Sequence, residues 1–336
     1  MSAEPTQRRL ILGSGRSGTT WVLDCLADAN NLRPIFEPLH PLESALGARY
    51  AYDVMASGDQ DETLSRHFHE LAAGRIRSRW IDYRGPRNLI FPKAARFFGE
   101  PGYAKRWLRR WQKYIHDRRA LHASARRENT LIKCIRANLM AGWLSRTLGF
   151  RTTLLIRHPC AVVESQYRLR LGALWNPAPV LEQYRANRKL HEVTGGRYLK
   201  LLHEELTTLQ ALTLNWVIEN QWPVERSTQD GFVVVYYEDL ASTPDISWPY
   251  LCAALELREV PDLALLRKPS QQASLSSKSG YPEPVQPRWR SNLTSDQLDT
   301  IQGVLDAAEC GLYSAHRPEP TFSLCTTARH FGSSVM

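Results

Sequence analysis

Cysteine is scarce in this sequence, and long apolar runs are absent. The 336 residues include six cysteines, at positions 25, 134, 160, 252, 310 and 325, and no two of them form a CxxC pair. Zinc-finger spacing is therefore absent, and the first three cysteines fall in apolar-periodic segments that favour buried free thiols. The spacing leaves a disulfide between positions 310 and 325 open.

The sequence also lacks a membrane segment and an apolar signal segment. No run approaches the ~18 apolar residues that a membrane helix needs, and a strand pattern begins near residue 8. We therefore expect a cytoplasmic protein without a membrane span. The net charge of +9 favours anionic ligands. RNA-recognition, zinc-finger and basic-heptad patterns are absent, so we expect no nucleic-acid partner.

The most informative segment is RRLILGSGRSGTTW at residues 8–21. Leu10–Leu12 form a short apolar run typical of a buried parallel strand. The glycines at positions 13, 15 and 18 allow a sharp turn and a close approach to a ligand, and Thr19 and Thr20 open an apolar-periodic helix. Because the first amides of a helix lack internal partners and favour an anion, this segment predicts a phosphate cradle.

The predicted cradle lacks the lysine of a nucleoside-triphosphate P-loop, whose pattern is G-x-x-x-x-G-K-[ST]. Gly13 and Gly18 have the P-loop spacing, but Thr19 stands at the lysine position and the cation is Arg16, inside the loop. That lysine is central to magnesium-assisted phosphoryl transfer. Its absence disfavours an ordinary kinase or ATPase.

Alternating strand and helix patterns predict the fold. Further strand patterns lie at 130–135, 152–157 and 232–237, and helical patterns at 139–148, 161–171, 181–193, 198–220, 247–257 and 295–308. This order predicts an α/β fold, a P-loop-type parallel sheet flanked by helices. Residues 48–127 carry no strand pattern and are rich in Arg, His and aromatic residues. They predict a helical basic insertion after the first strand–helix unit, over the ligand edge of the sheet.

A second anion site is predicted where the strand at 152–156 ends. Arg157 emerges at the carboxyl end of the strand, Pro159 suits a first helical turn, and Ser165 lies about two turns into that helix. An arginine binds phosphate through bidentate charge-assisted hydrogen bonds, and a serine hydroxyl adds one more. Two separated anion sites suit a nucleotide phosphorylated at both ends of its ribose.

These two sites resemble those of the sulfotransferases that use 3′-phosphoadenosine 5′-phosphosulfate (PAPS). GRSGTTW resembles that family's 5′-phosphosulfate loop, and RHPCAVVES resembles its 3′-phosphate motif, with matching Arg-to-Ser spacing. Further segments are similar to the carbohydrate sulfotransferase branch and occur in its order: FEPLHPL at 36–42, IKCIR at 132–136, YYEDLASTP at 236–244 and PRWRSNL at 287–293. The resemblance spans roughly residues 8–310, without the basic insertion.

The resemblance implies a single sulfotransferase domain over residues 1–336. Its parts would be the 5′-phosphosulfate loop and base segment at 8–47, the insertion at 48–127, the remaining nucleotide-binding core at 128–310 and a C-terminal tail at 311–336.

Carried over position by position, the resemblance also implies the roles of single residues. The residues that would hold the 5′-phosphate are Gly15, Arg16, Ser17, Gly18, Thr19 and Thr20. Arg157 and Ser165 would hold the 3′-phosphate, and Arg288 and Arg290 lie in a segment that often closes over the nucleotide. Trp21 matches a residue that stacks near adenine, although a place in the helix core fits it equally well.

The chemistry implied by the resemblance is sulfuryl transfer without a required metal. PAPS would be the cosubstrate, and 3′,5′-adenosine bisphosphate (PAP) would be the product. The acceptor would be a free hydroxyl group, and the FEPLH resemblance implies that a glycan carries it. Glu37, after a short second strand, is the candidate general base, and His40 is the competing base. Arg16 would stabilise the leaving phosphate oxygen, while Lys133 and Arg136 fit either the transferred group or a structural role.

Other functions stay open from the sequence. The acceptor hydroxyl could instead belong to a lipid, a small molecule or a peptide. A P-loop kinase would bind ATP with magnesium. A non-catalytic protein built around the basic insertion would bind polyanions with strong salt dependence and without a nucleotide. Kinship at the level of the fold does not decide the acceptor.

Overall fold

The computed structural model describes residues 7–78, 80–82, 129–170, 176–267 and 287–322. Residues 83–128, which make up most of the predicted basic insertion, lie outside this part of the chain, as does Cys325. Two helices occupy the described part of the insertion, as predicted: α2 at Ala45–Tyr50, which starts just before it, and α3 at Glu62–Ala72. The five described cysteines are free and buried, as expected for the first three of them.

In the described part of the chain, five parallel strands form one sheet in the order β2–β3–β1–β4–β5. The strands are β1 at Arg9–Leu12, β2 at Arg33–Phe36, β3 at Thr130–Cys134, β4 at Arg151–Ile156 and β5 at Val233–Tyr236. The predicted α/β fold is confirmed. β1, at the centre, is buried along its whole length, which explains the apolar run that follows Arg9 in its sequence, RLIL.

Helices flank the sheet on both faces. In addition to α2 and α3 they are α1 at Thr19–Ala29, α4 at Pro159–Arg170, α5 at Ala178–Ala186, α6 at Arg188–Val193, α7 at Leu199–His203, α8 at Thr208–Asp230, α9 at Tyr237–Ser242, α10 at Pro244–Ala254, α11 at Leu263–Leu266, α12 at Trp289–Asn292 and α13 at Ser295–Ala307. One apolar cluster contains residues of α1 and α10, such as Trp21 and Trp248, and another contains residues of α8, such as Trp216.

Two of the predicted helices are each divided in the structure by a capping residue. The pattern at 181–193 is interrupted at Asn187, whose side chain accepts a hydrogen bond from the Leu190 amide and starts α6. The pattern at 198–220 is interrupted before Thr207, which forms a capping box with Gln210 and starts α8. Side chains that cap a helix compete with continuation of the preceding one, so apolar periodicity alone predicted helices that are too long.

Two further segments differ from their predicted form. The predicted helix at 139–148 is a 3₁₀ turn at Asn138–Met140 followed by a π-helical turn at Trp143–Thr147. The predicted tail begins later than residue 311, because Leu312, Tyr313 and Ala315 are buried. No helix in the described ranges is both long enough and apolar enough to cross a membrane.

Candidate active site

The loop at residues 13–18 joins β1 to α1 at the carboxyl edge of the sheet. Gly18 (φ +96°) is the N-cap of α1, and no side chain caps this helix end. Arg16 also has a positive φ, +76°. A Cβ atom on Gly18 would lie 2.7 Å from the Tyr237 ring, so the turn requires glycine for space as well as for its backbone angle. Because no described side chain caps α1, its first backbone amides lie open at the loop, an arrangement that favours an anion.

Three amide side chains from distant elements hold this loop in place. The Gly13 amide donates a hydrogen bond to Asn138 Oδ1 at 3.0 Å. Gln166 Nε2 donates to the Gly15 carbonyl at 2.8 Å, and Asn220 Nδ2 donates to Ser14 Oγ at 2.8 Å. Asn138, Gln166 and Asn220 could not be predicted from the sequence, because a single polar residue in a helical pattern does not reveal that it is buried against a loop.

The two predicted anion sites lie side by side. Arg16 Nε donates to Ser165 Oγ at 3.0 Å, and Arg157 Nη1 donates to the Arg16 carbonyl at 3.2 Å. Desolvation lowers the pKa of Arg16, and the positive charges of Arg157 and Arg168 lower it further, against the opposite effect of Glu164. Three guanidinium groups so close together favour a bound anion.

Several buried polar atoms at this edge have no hydrogen-bond partner among the described residues. Besides Asn138 Nδ2, Gln166 Oε1 and Asn220 Oδ1 of the side chains that hold the loop, they include the donors Ser17 Oγ and Arg157 Nε. Buried donors are normally satisfied, so both atoms fit a ligand with several acceptor oxygens. Thr19 is buried at the start of α1, and Thr20 beside it is partly exposed.

Trp21 lies in the core rather than at a ligand surface. Its indole Nε1 donates to the Leu266 carbonyl at 3.1 Å, and its ring packs edge-on against Tyr237 and Trp248, at centroid distances of 5.6 and 5.2 Å. Of the two interpretations of Trp21, the structure favours the helix core. Tyr237 is more exposed and lies 4.4 Å below the Arg157 guanidinium, which makes its ring an additional surface next to the anion site.

The segment that carries Arg288 and Arg290 packs against α4, but neither arginine contacts the cradle loop in the described part of the chain. Arg290 Nη2 donates to the His316 carbonyl at 3.1 Å, and Arg288 is exposed. The Trp289 ring stacks on His158 with centroids 4.4 Å apart, and Asn292 Nδ2 donates to Glu164 Oε1 at 3.0 Å.

Glu37 lies at the carboxyl end of β2 and is only 2% exposed. Its carboxylate pairs with Lys133 Nζ and, at 2.9 Å, with Arg136 Nη1. The Ile135 amide lies 3.2 Å from Oε2. Glu37 has a φ of +46°, a conformation in which its own amide donates to the Lys133 carbonyl at 2.8 Å. Lys133 and Arg136 therefore both form ion pairs with the candidate base.

His40 lies one turn after Glu37, and its amide donates to the Glu37 carbonyl at 3.2 Å. Its Nδ1 accepts a hydrogen bond from the Leu42 amide at 3.3 Å, and its ring packs on Trp80 at a centroid distance of 4.3 Å. Trp80 Nε1 donates to the same Glu37 carbonyl at 3.0 Å. His40 and Trp80 therefore pack together beside Glu37.

Three polar side chains that no local sequence pattern singles out, Tyr52, Tyr184 and Glu219, lie behind Arg136. Tyr52, with a φ of +63°, donates its amide to the Arg136 carbonyl at 2.8 Å. The Tyr52 ring is 6.5 Å from the Tyr184 ring and 5.8 Å from the Arg136 guanidinium. Glu219 on α8 is near enough to influence the ionisation of both tyrosines. Non-glycine residues with positive φ cluster at functional sites, and Arg16, Glu37 and Tyr52 form such a set.

Comparison with known proteins gave matches only among solved structures. No family model matches the sequence, and no curated protein matches it. A sulfotransferase domain from the curacin biosynthetic pathway shares 16% identity, with 99% of this chain and 100% of that chain covered and a TM-score of 0.38. A sulfotransferase domain from the Synechococcus PCC 7002 olefin synthase shares 20% identity over 93% and 98% of the two chains, with a TM-score of 0.40. A sulfotransferase from Alicyclobacillus acidocaldarius shares 12% identity over 94% and 100%, with a TM-score of 0.37. What the site of this chain binds must follow from its own residues.

Proposed function

We propose that this protein is a sulfotransferase that moves a sulfuryl group from PAPS to an acceptor hydroxyl group. The observation that carries the proposal is the contact between the two anion sites, in which Arg16 Nε lies 3.0 Å from Ser165 Oγ and Arg157 bonds the Arg16 carbonyl. A nucleotide with phosphate groups at both the 5′ and 3′ positions of one ribose needs two neighbouring anion sites. ATP offers its charges in a single chain and would use only the first site.

The residues at these two sites fit the cosubstrate. The loop at residues 13–18 and the N-terminus of α1 would hold the 5′-phosphate, with Ser17 Oγ as an unsatisfied buried donor. Arg157 and Ser165 would hold the 3′-phosphate, with Arg157 Nε as a second unsatisfied donor. Bound PAPS would supply an electrophilic sulfur and a good leaving group, the phosphate oxygen of PAP.

Electrostatic stabilisation would be the main contribution of the protein to the transfer step. Negative charge grows on the leaving phosphate oxygen as its bond to sulfur breaks. The fixed amides of the cradle and the Arg16 guanidinium face this charge and stabilise it more in the transition state than in the ground state. A sulfuryl group carries less charge than a phosphoryl group, so its transfer does not oblige a metal ion.

Glu37 is the proposed general base. The acceptor oxygen attacks sulfur, the bond from sulfur to the leaving phosphate oxygen breaks, and the hydroxyl proton passes to a Glu37 carboxylate oxygen. Its ion pairs with Lys133 and Arg136 orient this carboxylate and compensate its charge. His40 is the weaker candidate because its ring packs on Trp80 and its Nδ1 accepts the Leu42 amide hydrogen.

The acceptor is proposed to be a carbohydrate. This proposal depends on the resemblance of the FEPLH segment and on the aromatic side chains near Glu37, since Trp80 and Tyr52 are both partly exposed. Aromatic rings next to a polar group suit a ligand that has both apolar and polar faces. Hydroxyl groups of lipids, small molecules and peptides remain the alternatives.

Incubation with PAPS labelled in its sulfuryl group tests the proposed function. A panel of glycans, phenols, lipids and hydroxyl-containing peptides would serve as acceptors, and PAP formation would be measured in parallel. We expect label in one acceptor class with one PAP formed per sulfate transferred. No transfer to any class, together with phosphorylation or hydrolysis from ATP and magnesium, would instead support the kinase alternative.

A further inference from the structure

The carboxyl group of Glu219 is buried next to the cradle and has no role in the proposed transfer. The residue lies on α8 and is only 3% exposed. Asn215 Nδ2 donates to its Oε1 at 3.1 Å, and the nearby Ser14 side chain favours the ionised form of the carboxyl group. Its Oε2 has no hydrogen-bond partner in the described ranges. A buried carboxyl group with an unsatisfied oxygen is costly, so its presence needs a physical reason.

The groups around Glu219 do not include a cation that pairs with it among the described residues. The charge of Arg136, after β3, lowers the pKa of Glu219, and the charge of Glu37, after β2, raises it. Tyr52 and Tyr184 approach Glu219 from two other elements. The Tyr184 hydroxyl is also buried and has no hydrogen-bond partner among the described residues. Desolvation raises the pKa of Glu219 to about 7, against the opposing effects of Ser14, Asn215 and Arg136. The group therefore changes charge near neutral pH.

Ser14 connects Glu219 to the cradle. Ser14 belongs to the loop at residues 13–18 and accepts a hydrogen bond from Asn220, the residue after Glu219, at 2.8 Å. A negative charge on Glu219 thus lies one side chain behind the loop that would hold the 5′-phosphate. Charges that are desolvated interact more strongly than charges in water. An ionised Glu219 would repel the phosphate group, whereas a protonated Glu219 would not.

We propose that Glu219 is a positioning residue that couples phosphate binding in the cradle to proton uptake. The inference rests on the proposed function, because it takes the 5′-phosphate of a nucleotide as the anion in the cradle. The Glu219 carboxylate takes its proton from the solvent when the nucleotide binds and returns it when the nucleotide leaves. By thermodynamic reciprocity, each proton taken up on binding means weaker nucleotide binding at higher pH.

Isothermal titration calorimetry with PAP tests this coupling without an activity measurement. Titrations at pH 7 in two buffers of different ionisation enthalpy give the number of protons taken up per PAP bound. We expect wild type to take up about half a proton more than Glu219→Gln, because a group with a pKa near 7 is half ionised at that pH. The difference in uptake cancels the protons that the ligand's own phosphate groups exchange. From pH 6 to 8, we expect PAP affinity to fall about tenfold more in wild type than in Glu219→Gln.

A second variant keeps the test decisive if Glu219→Gln does not fold, as judged by circular dichroism. Ser14→Ala removes a side chain that lowers the pKa of Glu219, so more of Glu219 should already be protonated at pH 7 and the uptake should be smaller than in wild type. Equal proton counts in wild type and in the folded variant would overturn the coupling while leaving the proposed function intact. Absence of PAP binding by wild type would overturn the proposed function and the coupling together.

Discussion

The Arg16 guanidinium donates a hydrogen bond to the Ser165 hydroxyl, across 149 residues of sequence. This contact joins the loop after β1 to the second turn of α4, the helix that follows β4. Since β1 and β4 are neighbours in the sheet, both sites lie at one edge and are held by one framework. A change at either site is therefore expected to alter nucleotide binding in a way that depends on which phosphate group the nucleotide carries.

Replacement of Arg157 by alanine should weaken PAP binding far more than 5′-AMP binding. The guanidinium is proposed to hold only the 3′-phosphate, and a charge-assisted hydrogen bond contributes about 1.5–3 kcal/mol, or roughly 10- to 100-fold in affinity. Calorimetric titration with both nucleotides measures the two losses. Arg151→Ala is the matched control, because Arg151 begins the same strand and pairs with Glu256 on the surface. Equal losses for both nucleotides would contradict the assignment of Arg157.

Gly18→Ala should abolish nucleotide binding and destabilise the protein. The new Cβ would meet the Tyr237 ring at 2.7 Å, and a φ of +96° is strained for any residue with a side chain, at a cost of about 1–2 kcal/mol or more. Gly303→Ala is the matched control, since Gly303 lies inside α13 with no atom within 4 Å of the added Cβ. That change should stabilise the helix slightly. If Gly18→Ala has the melting temperature and the PAP affinity of wild type, the turn does not require glycine at this position.

Glu37→Gln should lower the turnover number by about 100-fold or more while changing PAP affinity little. The variant keeps the shape of the side chain but removes the charge that pairs with Lys133 and Arg136, so its melting temperature should also fall. Steady-state kinetics and a PAP titration separate the two effects. Glu43→Gln, an exposed residue nearby, should leave both measurements unchanged. Turnover close to that of wild type would remove Glu37 from the role of base.

The His158 ring should make the protein less stable in acid. Burial lowers the pKa of His158 to about 4, whereas an unfolded histidine has a pKa of about 6.5. As the pH falls from about 6.5 to about 4, the unfolded chain gains a proton that the folded one does not, so the free energy of unfolding decreases. Melting temperatures at pH 7 and pH 5 measure this loss. His158→Gln should lose less between the two pH values, and an identical loss would show that His158 does not contribute.

The anion cradle could be predicted from the sequence because strand, glycine turn and helix start are contiguous. Arg157 and Ser165 could be predicted because they also share one strand–helix unit. The side chains that hold the loop could not be predicted, because Asn138, Gln166 and Asn220 come from three elements that only the tertiary fold brings together. Amide groups in helical segments carry no local pattern that distinguishes a buried side chain from an exposed one.

The ion pairs of Glu37 could not be predicted from the sequence either. The residue itself was predicted from its place after a short strand, but its pairing with both Lys133 and Arg136 depends on β2 lying beside β3. The order of strands in a sheet is not contained in the local pattern of any one strand. Glu219 could not be predicted for a related reason, because a glutamate in a helical pattern usually faces solvent.

Thermal unfolding with nucleotides tests the central claim most directly. PAP at about one hundred times its dissociation constant should raise the melting temperature by several degrees, since this excess corresponds to about 2.7 kcal/mol of stabilisation. At equal concentrations 5′-AMP should give a smaller rise and ATP with magnesium the smallest. A larger rise with ATP and magnesium than with PAP, or no rise with PAP, would contradict a site built for a 3′,5′-bisphosphorylated nucleotide.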